Sequence, residues 1–204
     1  MPNASKATLR FRPLHESDIV ILMDWFHDQR DLAIFDRGMP LPVNLQAMTE
    51  SWKAALAYKT PPSDYWFLVE TEKDRPLGLC GLQTISYVHG DAILPFFVSQ
   101  ASRGKGLATA MTSRLLDMAF RTLRLHRVST LYRQDNVGTH KVLKRLGFQD
   151  EGRVREGWYS NGKHFDIMRV GILHHEWEAG REAVLSNREP TAFDFVDNAD
   201  LAGH

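Results

Sequence analysis

The stretch Ile93-Leu94-Pro95-Phe96-Phe97-Val98-Ser99-Gln100-Ala101-Ser102-Arg103-Gly104-Lys105-Gly106-Leu107-Ala108-Thr109 decides the reading of this 204-residue chain. It runs from an apolar strand through a glycine loop into a helix. Two glycines let the backbone come close to a ligand, and the first helical turn presents unpaired N–H groups at the positive end of the helix dipole. Arg103 and Lys105 add local positive charge, while Ala108 and Thr109 are small enough to leave the helix start open. The dipole contributes only about 0.3–1 kcal/mol, so several N–H bonds must carry the affinity for a diphosphate. Paired glycines also turn chains without binding anything. A dinucleotide-binding Rossmann turn would need a third glycine where Thr109 stands, and a P-loop would need Ser or Thr after Gly-Lys with the preceding glycine four spacers back.

Working outward, Pro95 cannot donate a ladder hydrogen bond, which predicts a bulge or a missing neighbour in the strand 91–99. Leu107, Met111, Leu115, Met118 and Ala119 line one side of a helix ending near Arg124. A strand over 127–132 follows, then a short helix opened by Asn136 and closed by Gly147. Asn161-Gly162 suits a tight turn joining strands around 154–159 and 165–173. Toward the N-terminus, Leu9, Phe11 and Pro13 form a first strand, and Ser17 caps a helix carrying Ile19, Leu22, Met23 and Phe26. Residues 31–42 read as loop, a second helix begins at Asn44, and strands occupy 66–70 and 77–87. Helices and strands mix without strict βαβ alternation, so the fold class is α/β of the mixed, α+β kind. One domain over residues 1–178 is expected, with 179–204 a polar, partly acidic tail in which Asp194, Asp197 and Asp200 are solvated or partner-bound.

Composition narrows the function. Lys and Arg balance Asp and Glu, giving a formal net charge of +0, so no general field draws the protein to nucleic acid or anionic lipid. The cluster Arg121, Arg124, His126 and Arg127 reads as a solvated helix end. No run reaches the roughly 18 apolar residues that span a bilayer, and residues 1–12 lack a signal peptide's apolar stretch; a cytoplasmic location is expected. Cys80 sits among apolar residues as a small buried side chain. The nine histidines show no His-x-x-x-His pair beside a carboxylate, so no metal is expected.

Arg103-Gly104-Lys105-Gly106-Leu107-Ala108 resembles the Arg/Gln-x-x-Gly-x-Gly/Ala signature of the GNAT superfamily of acetyl-CoA-dependent N-acetyltransferases. Asn136-Val137-Gly138-Thr139, then Leu146-Gly147-Phe148, resembles the pattern of its RimJ/RimL branch. Glu151 through Trp158, Asn161-Gly162-Lys163, Asp166 and Leu173-His174-His175-Glu176-Trp177 look like that branch's closing hairpin. The resemblance covers about residues 9–178 and implies a mostly antiparallel central sheet flanked by helices. It also implies a splayed strand pair, with the pantetheine arm of acetyl-CoA lying between the strand of Phe96 to Val98 and the strand of Val128 to Tyr132. By the same resemblance, amides from Gly104 through Lys105, Gly106, Leu107 and Ala108 to Thr109 hold the pyrophosphate, and Asn136 meets the pantetheine arm. Lys141 or Lys144 would reach a nucleotide phosphate, although exposed helical lysines are more often merely solvated.

Acetyl transfer to an amine needs a base for the ammonium proton, a polarised carbonyl and an acid for the leaving thiolate. Asp91, Glu70 and Glu156 are the candidate bases, Glu156 first because it precedes Trp158 on the strand expected to border the acceptor cleft. A backbone N–H at Phe97 or Val98 would polarise the carbonyl. The tyrosine that many GNAT enzymes use as acid is replaced here by Leu143; the resemblance to the RimJ/RimL branch implies that the Thr139 hydroxyl relays the proton, while a threonine at a helix start equally often only bonds backbone. The acceptor is expected to be a small-molecule amine or a protein N-terminal amine, recognised by 31–42 and 158–165. The competing reading is a non-catalytic acyl-CoA sensor or interaction module. A homodimer through the closing hairpin or the tail is a further expectation.

Overall fold

The computed structural model describes residues 7–39, 41–57, 59–186 and 193–195. Its centre is a mixed sheet in the order β7-β8-β6-β4-β3-β2-β1-β9, with β5 pairing β3 beside that path. The strands are β1 (Ala7–Pro13), β2 (Tyr65–Thr71), β3 (Pro76–Ser86), β4 (Asp91–Ile93), β5 (Phe96–Val98), β6 (Arg127–Arg133), β7 (Gln149–Ser160), β8 (Lys163–Leu173) and β9 (Phe193–Phe195). Among the described residues only the β4–β6 and β1–β9 pairs are parallel; the rest are antiparallel.

Strand alternation divides the apolar side chains between two cores. On β2, Phe67 and Val69 face the helices α4 (Leu107–Asp117), α5 (Val137–Arg145) and α6 (His174–Ser186), whereas Trp66 and Leu68 face α1 (Ile19–Trp25), α2 (Gln29–Phe35) and α3 (Leu45–Leu56). At β2 the sheet is therefore buried on both sides, whereas residues 149–156 of the edge strand β7 are exposed. The fully buried Trp177 of α6 donates its indole N–H to Asp117 of α4 at 3.0 Å, and Arg181 binds the same carboxylate at 2.7 Å.

Several expectations need correction. Ser17 is not the cap: a 3-10 turn, Glu16–Asp18, precedes α1, and the Asp18 carboxylate accepts the His15 amide at 2.9 Å. Residues 29–35 form α2 rather than loop, capped by Asp28, whose side chain accepts the Arg30 amide at 2.8 Å. The boundary expected at 178 falls inside α6, which continues to Ser186. Asp194 lies in β9, paired with Thr8 along the edge of β1; Asp197 and Asp200 lie outside the described residues. Among the described residues no helix is long and apolar enough to cross a membrane, and no three His, Cys, Asp or Glu side chains gather as a metal site would require.

The strand expected over 91–99 breaks at Pro95 into β4 and β5. The carbonyl of Pro95 accepts the Gly81 amide at 3.1 Å, keeping the chain on β3, while the last bond to β6 is Leu94 N–H to the Ser129 carbonyl at 2.9 Å. Beyond it β5 follows β3 and β6 follows β8, so the sheet parts between β5 and β6. Proline lacks the N–H that would have paired with Gly81 of β3, which interrupts that ladder; the parting lies on the opposite edge, where the chain from Phe96 on makes no bond to β6 among the described residues.

Candidate active site

The gap opens a cavity of 680 Å³, within the range of small-molecule and cofactor sites. β5 forms one wall and Thr130, Leu131 and Tyr132 of β6 the other; the glycine loop and the start of α4 close one end. Asn136, Gly138, Thr139, Val142 and Arg145 bring the inner face of α5 to it, and Asp31, Ile34 and Phe35 of α2 with Trp158 of β7 cover it from the other core.

Backbone donors are set by geometry. Gly104 and Gly106 adopt φ of 75° and 78°, a left-handed conformation that costs other residues energy. Gly106 is the N-cap of α4 and no side chain caps this end. The first intrahelical bond runs from Ala110 N–H to the Gly106 carbonyl at 3.1 Å, so the amides of Leu107, Ala108 and Thr109 have no acceptor within the helix. On β5, the Pro95 carbonyl and the Ser99 amide, the latter 2.9 Å from the Leu77 carbonyl, both bond to β3. Strand alternation therefore turns the amide of Phe97 toward Leu79 and those of Phe96 and Val98 toward the gap. Of the two amides named from the sequence, only that of Val98 faces the cavity; Phe97 contributes its ring.

The loop's cations are tethered. Arg103 donates to Asp31 at 2.7 Å and to the Val98 carbonyl at 3.1 Å, and lies 5.5 Å from the Phe97 ring centre; Lys105 donates to the Ala101 carbonyl at 2.9 Å. Asp31 thus offsets much of the positive charge that the loop sequence suggests. Asn136 caps α5 through its side-chain oxygen, which accepts the Thr139 amide at 3.1 Å, leaving its NH₂ for a ligand. Half-buried Thr139 lines the cavity, and its hydroxyl has no hydrogen-bond partner among the described residues. Leu143, where a tyrosine was sought, is buried in the core.

The expected bases do not reach the cleft. Asp91 starts β4 opposite Arg127, at the end where the sheet is closed. Glu156 sits in a bulge of β7 with φ of 52°, its amide held by Asp166 at 2.7 Å, and its exposed side chain is not part of the cavity wall. Glu70 is buried between Arg10 at 2.8 Å and Arg12 at 3.1 Å. The bulge has a different use: it turns Trp158 inward, where the indole N–H reaches the Ala33 carbonyl of α2 at 2.9 Å. Lys141 is exposed and off the cavity face, and Lys144 pairs with Asp150 at 2.8 Å. Arg145 is the α5 cation that lines the cavity. Sequence reasoning missed it although it lies three and seven positions from Val142 and Gly138, on the same helical face.

The comparisons agree with this geometry. A family model described as an acetyltransferase (GNAT) domain matches residues 8–149. A putative ribosomal N-acetyltransferase, YdaF, of Bacillus subtilis (strain 168) is 34% identical over 101 residues, covering 50% of this chain and 55% of YdaF. A spermidine N(1)-acetyltransferase of Vibrio cholerae serotype O1 is 30% identical over 111 residues, covering 54% of this chain and 64% of that enzyme. The chain thus matches between about half and two thirds of the length of these curated relatives. A crystal structure of spermidine N-acetyltransferase from Vibrio cholerae in complex with CoA and spermine superposes with a TM-score of 0.75 at 23% identity, over 86% of this chain and 99% of that one. With a mixed, mostly antiparallel sheet parted beside a glycine-capped helix and a family model matching most of its length, the chain belongs to the GNAT acetyltransferase family.

Proposed function

We propose that this protein is an acetyl-CoA-dependent N-acetyltransferase of RimJ/RimL-like kind, acting on a small-molecule amine or a protein N-terminal amine. The observation that carries the reading is the row of unbonded amides at Leu107, Ala108 and Thr109, opening onto the gap between β5 and β6. Those three, with the backbone of Gly104, Lys105 and Gly106, would bind the pyrophosphate. Arg145, rather than Lys141, is the α5 cation placed for a phosphate. The Val98 amide and the Asn136 NH₂ would hold the arm that lies in the gap.

Acetyl-CoA supplies the activated acyl group as a thioester; the chain positions it and manages protons. The amine nitrogen bonds to the acyl carbon, the carbon–sulfur bond breaks, one proton leaves the ammonium and one reaches the departing sulfur. The Val98 amide is a fixed donor for the acyl carbonyl, costing no reorganisation at reaction. Thr139 Oγ stands on the cavity wall with its proton uncommitted and serves as relay to sulfur. With Asp91, Glu156 and Glu70 off the cleft, the ammonium proton passes to ordered water. The pairing of Asn136 with Thr139 supports the RimJ/RimL-like assignment.

Thiol release from acetyl-CoA in the presence of N-terminal peptides, polyamines and simple amines tests the proposal. Turnover with any of these classes supports it. CoA binding without thiol release from all three would favour the sensor reading instead.

A further inference from the structure

The main cavity passes through the parted sheet. Thr139 and Val142 of α5 line it on the side of α4 to α6, and Phe35 of α2 with Trp158 of β7 line it on the other. Strand alternation decides what stands on that second side. Ala92 and Leu94 of β4, and Val128 and Tyr132 of β6, are buried in the core on the α4 side, so Ile93 and Leu131, each next to one of these, point the opposite way. Both line the cavity, as does Ile34 of α2, and none of the three belongs to either core. Ile93 is 38% exposed although β4 lies inside the sheet, between β3 and β6. The charges around this apolar wall are of one kind. Asp31 is the only carboxylate among the described residues lining the cavity and is bound to Arg103 at 2.7 Å, while Arg37 and Arg145 add further positive charge. Gln83, paired with Ile93 across β3 and β4, is uncharged.

We propose that the wall of Ile34, Ile93 and Leu131 seats the body of the acceptor, and that this body is apolar and uncharged, the reacting amine being its one cationic group. The proposal rests on the acetyltransferase reading and narrows its acceptor. Covering these three side chains removes apolar surface from water, whereas a second ammonium would lose hydration beside hydrocarbon and meet arginines with no free carboxylate to pair with. The same surroundings favour the neutral, reactive amine over its ammonium, which suits a cleft that none of Asp91, Glu70 and Glu156 reaches.

The test is thiol release from acetyl-CoA with n-hexylamine, the isosteric 1,5-diaminopentane and spermidine, beside peptide amides that begin with leucine or with lysine. The two sets distinguish a free amine from an N-terminal residue as the source of the apolar body. In whichever set turns over faster, kcat/KM should favour the apolar member by at least about tenfold, hexylamine over the diamine or leucine over lysine. Ile93→Asp should cut that ratio about tenfold, mainly through KM, and uncharged Ile93→Asn should cut it less; a ratio is unaffected by loss of folded protein. A diamine, spermidine or lysine peptide that matches its apolar counterpart, or Ile93→Asp leaving the ratio in place, overturns the proposal. Turnover without apolar preference refutes this proposal alone, whereas no thiol release from any amine refutes the acetyltransferase reading beneath it.

Discussion

Replacing Gly104 tests the backbone logic of the glycine loop, because two substitutions that look similar should behave differently. A Cβ at this position meets nothing within 4 Å, so Gly104→Ala creates no clash. Its cost is the left-handed φ of 75°, about 1 kcal/mol for a residue with a Cβ. CoA affinity should then fall less than about tenfold and Tm by about 3 °C. Gly104→Pro forces φ toward about −65° and deletes the residue's N–H. The loop must rebuild, removing one donor and displacing at least one neighbour. At about 1.5–3 kcal/mol for each hydrogen bond to a charged group, affinity should fall at least about 100-fold. The fold survives, since the position is exposed and packs on nothing. Calorimetric titration with CoA, paired with thermal unfolding, reads both quantities. Wild-type affinity in the proline variant, or an alanine variant as defective as the proline one, would refute the reasoning.

Thr139→Val keeps the shape of the side chain and removes the hydroxyl; kcat should fall at least about tenfold with CoA affinity little changed, and an unchanged kcat removes Thr139 from proton transfer. Burial opposes the charge on Asp18, but the paired hydrogen bonds from Arg12 at 2.7 and 2.8 Å and the His15 amide outweigh it and hold the carboxyl below its ordinary value. Its stabilisation is therefore full above the unfolded-state value near 3.9 and disappears as pH falls through the lower native value. Asp18→Asn should cost about 2 kcal/mol at pH 7 in urea unfolding, the gap narrowing only below about pH 4; a pH-independent gap would refute this. Burial pushes the Cys80 thiol far up, so native protein should not react with a disulfide-exchange reagent while urea-unfolded protein should react fully.

What the sequence displayed well was local. Pro95 announced the break between β4 and β5, and the paired glycines with the apolar face of α4 announced the donor-lined end of the gap. Asn136 and Gly147 marked both ends of α5, and Asn161-Gly162 turned the hairpin as expected, with φ of 50° and 75°. What it hid was set at long range. The base candidates were chosen by residue type and strand proximity, but the bulge near Glu156 and the register of β4 on β6 decide which way those carboxylates face. Asp31 was read as the start of a loop because seven-residue α2 is too short for periodicity to show, although Asp28 was a readable cap. The α6 continuation was obscured by its polar surface, and β9 by its acidic neighbours.

The bond between Arg103 and Asp31 joins the glycine loop to α2, the helix that covers the cavity from the other core. On the proposed reading, an anion at the loop and an amine beneath α2 would be coupled through that bond, and by linkage whatever factor the first imposes on the second, the second imposes on the first. Cutting that bond, as in Asp31→Asn, would let the two ligands bind as strangers to each other.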